Sequence, residues 1–177
     1  LEPLWLPPAR WLLIGTLPLA APTSASALLS AVRQARSQGT AIALDVNWRP
    51  TFWDVTADPG AGPSSAAKAA IQPLLDQAAL IKLAREEALW FFNTDDPGAI
   101  QQALPQQPDV VVTDGAAPVC WQFGADSGQQ VAFQPPTVVD TTGAGDAFTA
   151  GLLHRWAAAP YERIRFAAAC GALVCGG

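Results

Sequence analysis

Short apolar runs alternate with longer mixed segments along the chain, and this pattern predicts alternating strands and helices. Four runs are nearly continuous in hydrophobic residues, as expected for strands buried on both faces of a sheet. They cover residues 11–15, 41–46, 79–83 and 109–113. Between the first two, apolar positions at helical spacing predict a helix over 26–38, which ends before Gly39. Thr23 or Ser24 is its expected N-cap. Strand, helix and strand in this order predict a right-handed parallel crossover.

The rest of the pattern adds helices and a hairpin. Helices are predicted over residues 65–77, 84–92, 146–156 and 161–174, with Pro73 expected to kink or split the first of them. Residues 119–123 and 130–133 are expected to pair as a hairpin across a turn over 124–129. Together these elements predict an α/β protein, a three-layer α/β/α sandwich with a mostly parallel sheet and helices on both faces.

Composition and charge exclude several classes of protein. Half of the residues are hydrophobic and 14% are charged, which is the balance of a globular chain. A net charge of −5 without clustered Lys and Arg argues against nucleic acid or an anionic membrane surface as a partner. No segment approaches the roughly 20 apolar residues of a membrane span. Cys120, Cys170 and Cys175 have no paired metal spacing, so we expect reduced cysteines in a cytoplasmic protein.

One glycine-rich stretch, residues 138–153, carries the strongest chemical signal. It has the pattern of a strand end, a tight turn of Gly143, Ala144 and Gly145, and the first turns of a helix. Unpaired N–H groups and the positive end of the helix dipole make such a turn a site for an anion. Asp146 follows at the mouth of this site, where a carboxylate can take a proton from a nucleophile that attacks a phosphate. The alternative is a glycine-rich strand-to-helix turn that binds no ligand.

The segment Asp-Thr-Thr-Gly-Ala-Gly-Asp-Ala-Phe-Thr-Ala-Gly-Leu-Leu, residues 140–153, resembles the C-terminal signature of the ribokinase-like (PfkB) family of carbohydrate kinases. The resemblance implies a ribokinase-like fold, ATP and Mg2+ as cofactors, and a small-molecule sugar as substrate. It places Thr142 on the phosphate side of the site, and the family suggests a monovalent cation near Asp140. Family members are longer, and this chain begins in mid-domain sequence. We therefore expect residues 1–177 to be one partial kinase domain, truncated at the N-terminus and lacking a short C-terminal tail.

A second element follows the predicted strand over residues 41–46. Asp45, Asn47 and Arg49 stand at alternate positions, so in an extended segment their side chains would point the same way. The carboxyl ends of parallel strands are where ligands gather. The group is similar to the Asp-x-Asn-x-Arg element of fructokinase-like members, which implies positions near the sugar and the transferred phosphate. The alternative is a strand-end turn with a surface ion pair.

Two further segments resemble nucleotide-side motifs of the family. Lys82 and Glu87 match the Lys-x-(Asn/Ser)-x-x-Glu segment, although Ala84 replaces its polar residue. The resemblance gives Glu87 a link to Mg2+ through water, while a solvated helix face is the alternative. Thr113 and Gly115 match a Val-Thr-x-Gly element that helps hold the nucleotide.

The sequence therefore predicts the nucleotide-binding and catalytic part of a fructokinase-like sugar kinase. Fructose is the first substrate, while ribose, 2-keto-3-deoxygluconate and nucleosides stay open. The rival prediction is a catalytically degenerate nucleotide-binding module of the same fold. The oligomeric state also stays open, with a homodimer as one candidate. In such kinases the lid that closes the site and excludes water belongs to the N-terminal part, which we expect to be missing here. We therefore expect weak nucleotide binding and slow turnover of these residues alone.

Overall fold

The computed structural model describes residues 9–176, so the predicted domain of 1–177 extends beyond the described residues at both ends. Six strands form one sheet, and their order in the sheet is their order in the chain. The first four strands are parallel and the last two are antiparallel. Their bounds are β1 Trp11–Gly15, β2 Ala41–Asp45, β3 Leu80–Ala84, β4 Asp109–Thr113, β5 Val119–Phe123 and β6 Asp126–Gln130. The four apolar runs are thus confirmed as the parallel core of the sheet.

Seven α-helices cover the two faces of the sheet over residues 9–176. Each right-handed crossover from one parallel strand to the next places its helices on the same face. On that face lie α1 Pro22–Ser37, α2 Pro50–Trp53, α3 Ser65–Leu75, α4 Arg85–Phe92 and α5 Pro97–Ala103. The hairpin of α6 Ala144–His154 and α7 Pro160–Cys175 covers the opposite face. The arrangement is the expected α/β/α sandwich.

Two boundaries differ from the sequence prediction near α1 and α3. Helix α1 begins at Pro22, because proline at the first helical position already has a helical φ and needs no N–H partner. Ala21 is its N-cap, and the Ser24 hydroxyl instead donates to the carbonyl oxygen of Pro18 at 2.6 Å. Pro73 does not split α3, since the helix ends two residues later and only its last turn loses a hydrogen bond.

The hairpin prediction was wrong in its second strand. Gly124 has a left-handed φ of 55°, which allows a tight connection, and Phe123 pairs directly with Asp126. The returning strand is therefore β6, Asp126–Gln130, and not residues 130–133. Its polar residues are mostly exposed at the edge of the sheet, so they do not produce the apolar pattern by which a strand is recognised.

Alternation along the strands gives the two faces different properties. Leu44, Ile81 and Leu83 belong to the core under α1, α3, α4 and α5, and each is fully buried. On the α6–α7 face, the strand residues are apolar at the amino ends, as at Ala43 and Leu80, and polar at the carboxyl ends. Asp45, Lys82 and Thr113 therefore lie on one face, at one edge of the sheet. No helix within residues 9–176 is long and apolar enough to cross a lipid bilayer.

Candidate active site

The glycine-rich turn forms the start of α6. Gly143 is the N-cap, with a φ of 81° that a residue with a side chain rarely adopts. The N–H of Ala144 donates to the carbonyl oxygen of Thr141 at 3.1 Å, which closes the turn. Within the described part of the chain, the N–H groups of Gly143, Gly145 and Asp146 have no acceptor. These three N–H groups are free to bind an anion, whereas the N–H of Ala144, which the sequence also predicted as a donor, is already used within the turn.

Asp140 holds the strand side of the same turn. Its Oδ1 accepts the Thr142 N–H at 2.9 Å and the Thr142 hydroxyl at 2.8 Å. These two bonds, the backbone one first, lower the pKa of Asp140 below its ordinary value. The Thr142 hydroxyl proton is thus used within the turn, and a contact from Thr142 to phosphate stays a prediction. The Val139 N–H donates to the carbonyl oxygen of Cys175 at 2.8 Å, so this segment is hydrogen-bonded to the end of α7.

Asp146 is an exposed carboxylate in the first turn of α6. No hydrogen-bond donor or cationic side chain among residues 9–176 contacts its oxygens. It stands next to Gly145, whose free N–H faces the same end of the helix. A carboxylate without a partner beside an anion site is available to accept a proton from a bound nucleophile.

A cavity of about 380 Å3 opens beside this turn. Ala144, Gly145 and Phe148 of α6 form one wall, and Ala168 and Gly171 of α7 continue it. The strand ends contribute polar groups, and the segment over residues 132–138 forms the remaining side. Three residues predicted for the nucleotide, namely Lys82, Thr113 and Gly115, line the cavity. Glu87, Asp45, Asn47 and Arg49 are not among the lining residues.

Under the turn lies a buried polar cluster of Asp45, Lys82 and Thr149. Lys82 Nζ is 3.1 Å from each carboxylate oxygen of Asp45, and both side chains are about nine-tenths buried. The Thr149 hydroxyl is 3.2 Å from Asp45 Oδ2 and 2.9 Å from the carbonyl oxygen of Gly145. The cluster therefore joins β2 and β3 to the first turns of α6.

Glu87 has a backbone role in this structure. It is 5% exposed, its Oε1 accepts the Trp48 N–H at 2.6 Å, and its Oε2 accepts the Ala84 N–H at 2.7 Å. Burial raises the pKa of Glu87 above its ordinary value, while the two N–H groups act in the opposite direction. The side chain thus caps α4 and holds the chain after β2. Its contact with Mg2+ through water stays a prediction.

The three polar residues after β2 are not aligned as the sequence predicted. Asn47 has a left-handed φ of 42°, so the segment is not extended and the alternation ends there. Arg49 is exposed, and its Nη1 donates to the carbonyl oxygen of Trp48 at 2.8 Å. Asp45 alone enters the polar cluster. The expectation that all three side chains point the same way was wrong because of the turn at Asn47.

Thr149 and the segment over residues 132–138 were not found from sequence. Thr149 lies four residues after Gly145, one turn further along the buried side of α6. A threonine at that spacing from the glycine turn was the available signal. Phe133 and Val138 are 40% and 61% exposed, although both border the cavity. Exposed apolar residues in a segment with no helix or strand gave no periodic pattern.

The donor set tests how Mg2+ would fit this site. No group of three or more His, Cys, Asp and Glu side chains in the described residues could hold a metal ion. Mg2+ usually keeps several waters and is held by substrate phosphates together with one or two carboxylates. Glu87, the carboxylate predicted to face the metal through water, already accepts two backbone N–H groups, so phosphates and waters would supply most of the ligands of Mg2+. The residues present fit a metal that arrives with the phosphates, and not a cage made by protein alone.

Comparison with known proteins places the chain in a family. The sequence profile of the pfkB family carbohydrate kinases matches residues 3–177. The chain belongs to this family. A fructokinase of Salmonella typhimurium is 33% identical over 175 residues, which is 93% of this chain and 54% of that protein. A fructokinase of Vibrio alginolyticus is 31% identical over 173 residues, with 92% and 53% covered.

Solved structures of PfkB-type kinases have the same fold. Fructokinase with bound ATP from Xylella fastidiosa matches with a TM-score of 0.78 and 28% identity, over 96% of this chain and 56% of that one. Aminoimidazole riboside kinase from Salmonella enterica matches with a TM-score of 0.76 and 26% identity, over 97% and 59%. The predicted ribokinase-like fold is confirmed. The chain spans about half the length of most curated relatives it matches.

Proposed function

We propose that the protein is an ATP-dependent carbohydrate kinase, which transfers the γ-phosphate of ATP to a sugar hydroxyl. The observation that carries the proposal is the start of α6. There, an unpartnered carboxylate, Asp146, follows N–H groups without acceptors, next to a cavity of about 380 Å3. Phosphoryl transfer uses donors that stabilise the charge on the transferred group and a residue that takes the proton of the nucleophile or orients it.

Asp146 is the general base in this mechanism. It takes the proton from the sugar hydroxyl as the oxygen of that hydroxyl forms its bond to the γ-phosphorus, and the bond to the ADP oxygen breaks. The N–H groups of Gly143, Gly145 and Asp146 stabilise the negative charge on the transferred group. Mg2+, when bound with the nucleotide, neutralises part of the phosphate charge. The proposal assigns the nucleotide contacts to Lys82, Thr113 and Gly115, and it is supported by their place in the lining of the cavity.

Fructose is the first substrate to test, because the matched relatives include several fructokinases. One matched structure is a fructokinase from Vibrio cholerae O395 with fructose, ADP and calcium ion. The similarity to aminoimidazole riboside kinase keeps riboside acceptors open. We further propose a cytoplasmic location, a monovalent cation near Asp140 and a homodimer as the assembly to test. Asn47 and Arg49 remain proposed sugar-side and phosphate-side residues.

The test is sugar-dependent ADP release from Mg-ATP, with fructose, ribose, 2-keto-3-deoxygluconate and nucleosides compared. It uses the printed chain and the longest natural chain that contains it. Activity on one acceptor, lost in Asp146→Asn and kept in Asp126→Asn, supports the kinase and identifies its substrate class. Asp126 is a matched control, since it is exposed on β6 and does not line the cavity. A folded protein that binds ATP and phosphorylates none of these acceptors would favour the degenerate binding module.

A further inference from the structure

The cavity beside the start of α6 is charged at one end and apolar over most of its remaining wall. Lys82 marks the charged end, because a Cβ added at Gly145 would be 3.0 Å from its Nζ. Apolar side chains from α6, α7, β5 and the segment over residues 132–138 form most of the remaining wall. They include Val119, Phe133, Pro135, Val138, Phe148 and Ala168. The cavity thus suits a ligand with a charged end and an aromatic end.

A nucleoside triphosphate matches this distribution in one direction. Its charge lies on the phosphates, and the N–H groups of Gly143, Gly145 and Asp146, which have no acceptor within residues 9–176, lie at the start of α6. These groups and the positive end of the helix dipole favour an anion there. With its phosphates bound at this end, the nucleotide has its base in the apolar part, between α7 and the segment over residues 132–138.

Few polar groups in the described chain are available to recognise the edge of a base in that part. Thr141 belongs to the glycine-rich turn, and the Thr113 hydroxyl donates to the Leu83 carbonyl oxygen at 3.4 Å. Cys175 offers a thiol, which is a weak donor, and Gln134 is an exposed residue that precedes two prolines. Within residues 9–176, no backbone hydrogen bond fixes the segment over 132–138. Its N–H and C=O groups are therefore not preorganised to select one base.

Phe133 provides an aromatic surface in the same part of the cavity wall. It is 40% exposed, in a segment with no helix or strand. Stacking on an aromatic ring stabilises every base, since each base has a π face. An apolar pocket distinguishes similar ligands by about 100-fold at most, whereas a pocket that hydrogen-bonds its ligand reaches about 10⁴-fold or more. The wall around Phe133 has the properties of the first kind of pocket.

We propose that stacking on Phe133 and apolar contact hold the nucleotide base without selecting it, so that the protein accepts GTP and inosine triphosphate (ITP) as phosphoryl donors as well as ATP. The proposal rests on the proposed function, because it concerns the donor of the same transfer. With each donor, the sugar oxygen forms its bond to the γ-phosphorus, Asp146 takes the hydroxyl proton, and the nucleoside diphosphate leaves. The three bases share one purine ring system and differ only in groups at its edge.

The test is calorimetry with ATP, GTP, ITP and inorganic tripolyphosphate, in the presence of Mg2+ and with the longest natural chain. We expect the dissociation constants of the three nucleotides to agree within about tenfold. Phe133→Ala should weaken all three by a similar factor, about 5- to 150-fold, since the loss of stacking on one base has this size. Tripolyphosphate, which has no base, should bind equally to wild type and variant.

Phe52→Ala is the matched control for this substitution. Phe52 is also an exposed phenylalanine, and it does not line the cavity, so no dissociation constant should change. If Phe133→Ala fails to fold, Phe133→Leu removes the ring and keeps an apolar side chain. Release of the nucleoside diphosphate with the best acceptor gives a second readout, in which kcat/KM for the three donors should agree within about tenfold.

Several results would overturn this inference. These are a preference for one base of more than about tenfold, nucleotide binding that is unchanged in the Phe133 variants, or tripolyphosphate binding that is weakened as much as nucleotide binding. Similar binding of the three nucleotides without transfer to any acceptor would contradict the proposed function and support this inference. Transfer from ATP alone would do the reverse. A folded protein that binds none of the nucleotides would contradict both.

Discussion

Two helices of this molecule carry a carboxylate at the same position, the third residue of the helix, and use it in opposite ways. In α4 this residue is Glu87, and in α6 it is Asp146. Glu87 is buried, and each of its oxygens accepts a backbone N–H. Asp146 is exposed, and no donor within residues 9–176 contacts it. Both oxygens of Glu87 are used in hydrogen bonds to the backbone, whereas the oxygens of Asp146 are free to accept a proton from a substrate.

The difference arises from side-chain length and from the turn before each helix. A glutamate at the third helical position can reach back to the N-cap N–H, as Glu87 does to Ala84. Aspartate is one methylene shorter, and the left-handed N-cap Gly143 precedes Asp146. Helix α6 therefore starts with free N–H groups, whereas Glu87 satisfies the N-cap N–H of α4. A helix start with unsatisfied donors and an unpaired acid is less stable and more reactive than a capped one.

The largest effect is expected from removing the free carboxylate. Asp146→Asn should lower kcat by roughly 10²- to 10⁴-fold, because amide oxygen is a poor proton acceptor and general-base catalysis has this size. The melting temperature and the ATP dissociation constant should change little, since Asp146 has no partner in the described structure. Steady-state kinetics, calorimetry and thermal unfolding measure the three quantities. Full turnover in Asp146→Asn would assign the base to another residue.

Replacing Glu87 is expected to lower the stability of the fold. In Glu87→Gln, the amide nitrogen faces one of the two N–H donors, so a hydrogen bond is lost and a buried donor is left unpaired. We expect the free energy of unfolding to fall by about 1–3 kcal/mol. Chemical denaturation measures it, with Glu86→Gln as the matched control on the exposed side of α4. Equal stability of the two variants would show that the capping bonds contribute nothing.

Alanine in place of Gly143, the N-cap of α6, can be compared with alanine in place of Gly39, which follows the end of α1. Gly143→Ala and Gly39→Ala both place alanine at a left-handed φ, of 81° and 78°, with no close contact for the new Cβ. Each should reduce the free energy of unfolding by about 1 kcal/mol. Gly143→Ala alone should also weaken ATP binding, because it changes the direction of the free N–H groups. Identical ATP affinity in the two variants would show that the turn at Gly143 does not bind the nucleotide.

The smallest effect is a dependence of stability on pH. Burial raises the pKa of Glu87 from the ordinary value of 4.5, so the folded chain binds more protons than the unfolded chain above that pH. The contribution of Glu87 to stability is then complete below pH 4.5 and declines as pH rises through the raised pKa. Glu87→Gln should therefore differ less from wild type in its free energy of unfolding as pH rises from 4.5 through the raised pKa of Glu87. A deficit that grows with pH would indicate a lowered pKa.

The parallel core of the fold follows from sequence because β1 to β4 are continuous apolar runs separated by helical segments. The edge strand β6 does not, since it is polar and exposed and its register depends on a two-residue turn. Helix α5 has seven residues and no long apolar pattern, and it was not predicted.

The candidate site likewise has one part that follows from sequence and one part that does not. The turn and Asp146 were predicted because a contiguous stretch fixes their positions relative to one another. The partners of Asp45 and Glu87 depend on contacts with residues 37 and 39 positions away in the chain. Such contacts are set by strand register and packing, which no local pattern contains.

Phosphorus NMR of the full natural chain with Mg-ATP and the best acceptor tests the central claim most directly. The spectrum follows the γ-phosphate itself, so transfer to sugar is distinguished from hydrolysis. We predict that wild type converts ATP to ADP and sugar phosphate in equal amounts, and that Asp146→Asn leaves the ATP signals unchanged over the same time. Release of inorganic phosphate alone, or equal formation of sugar phosphate by the two proteins, would contradict a kinase that uses the free carboxylate of α6 as its base.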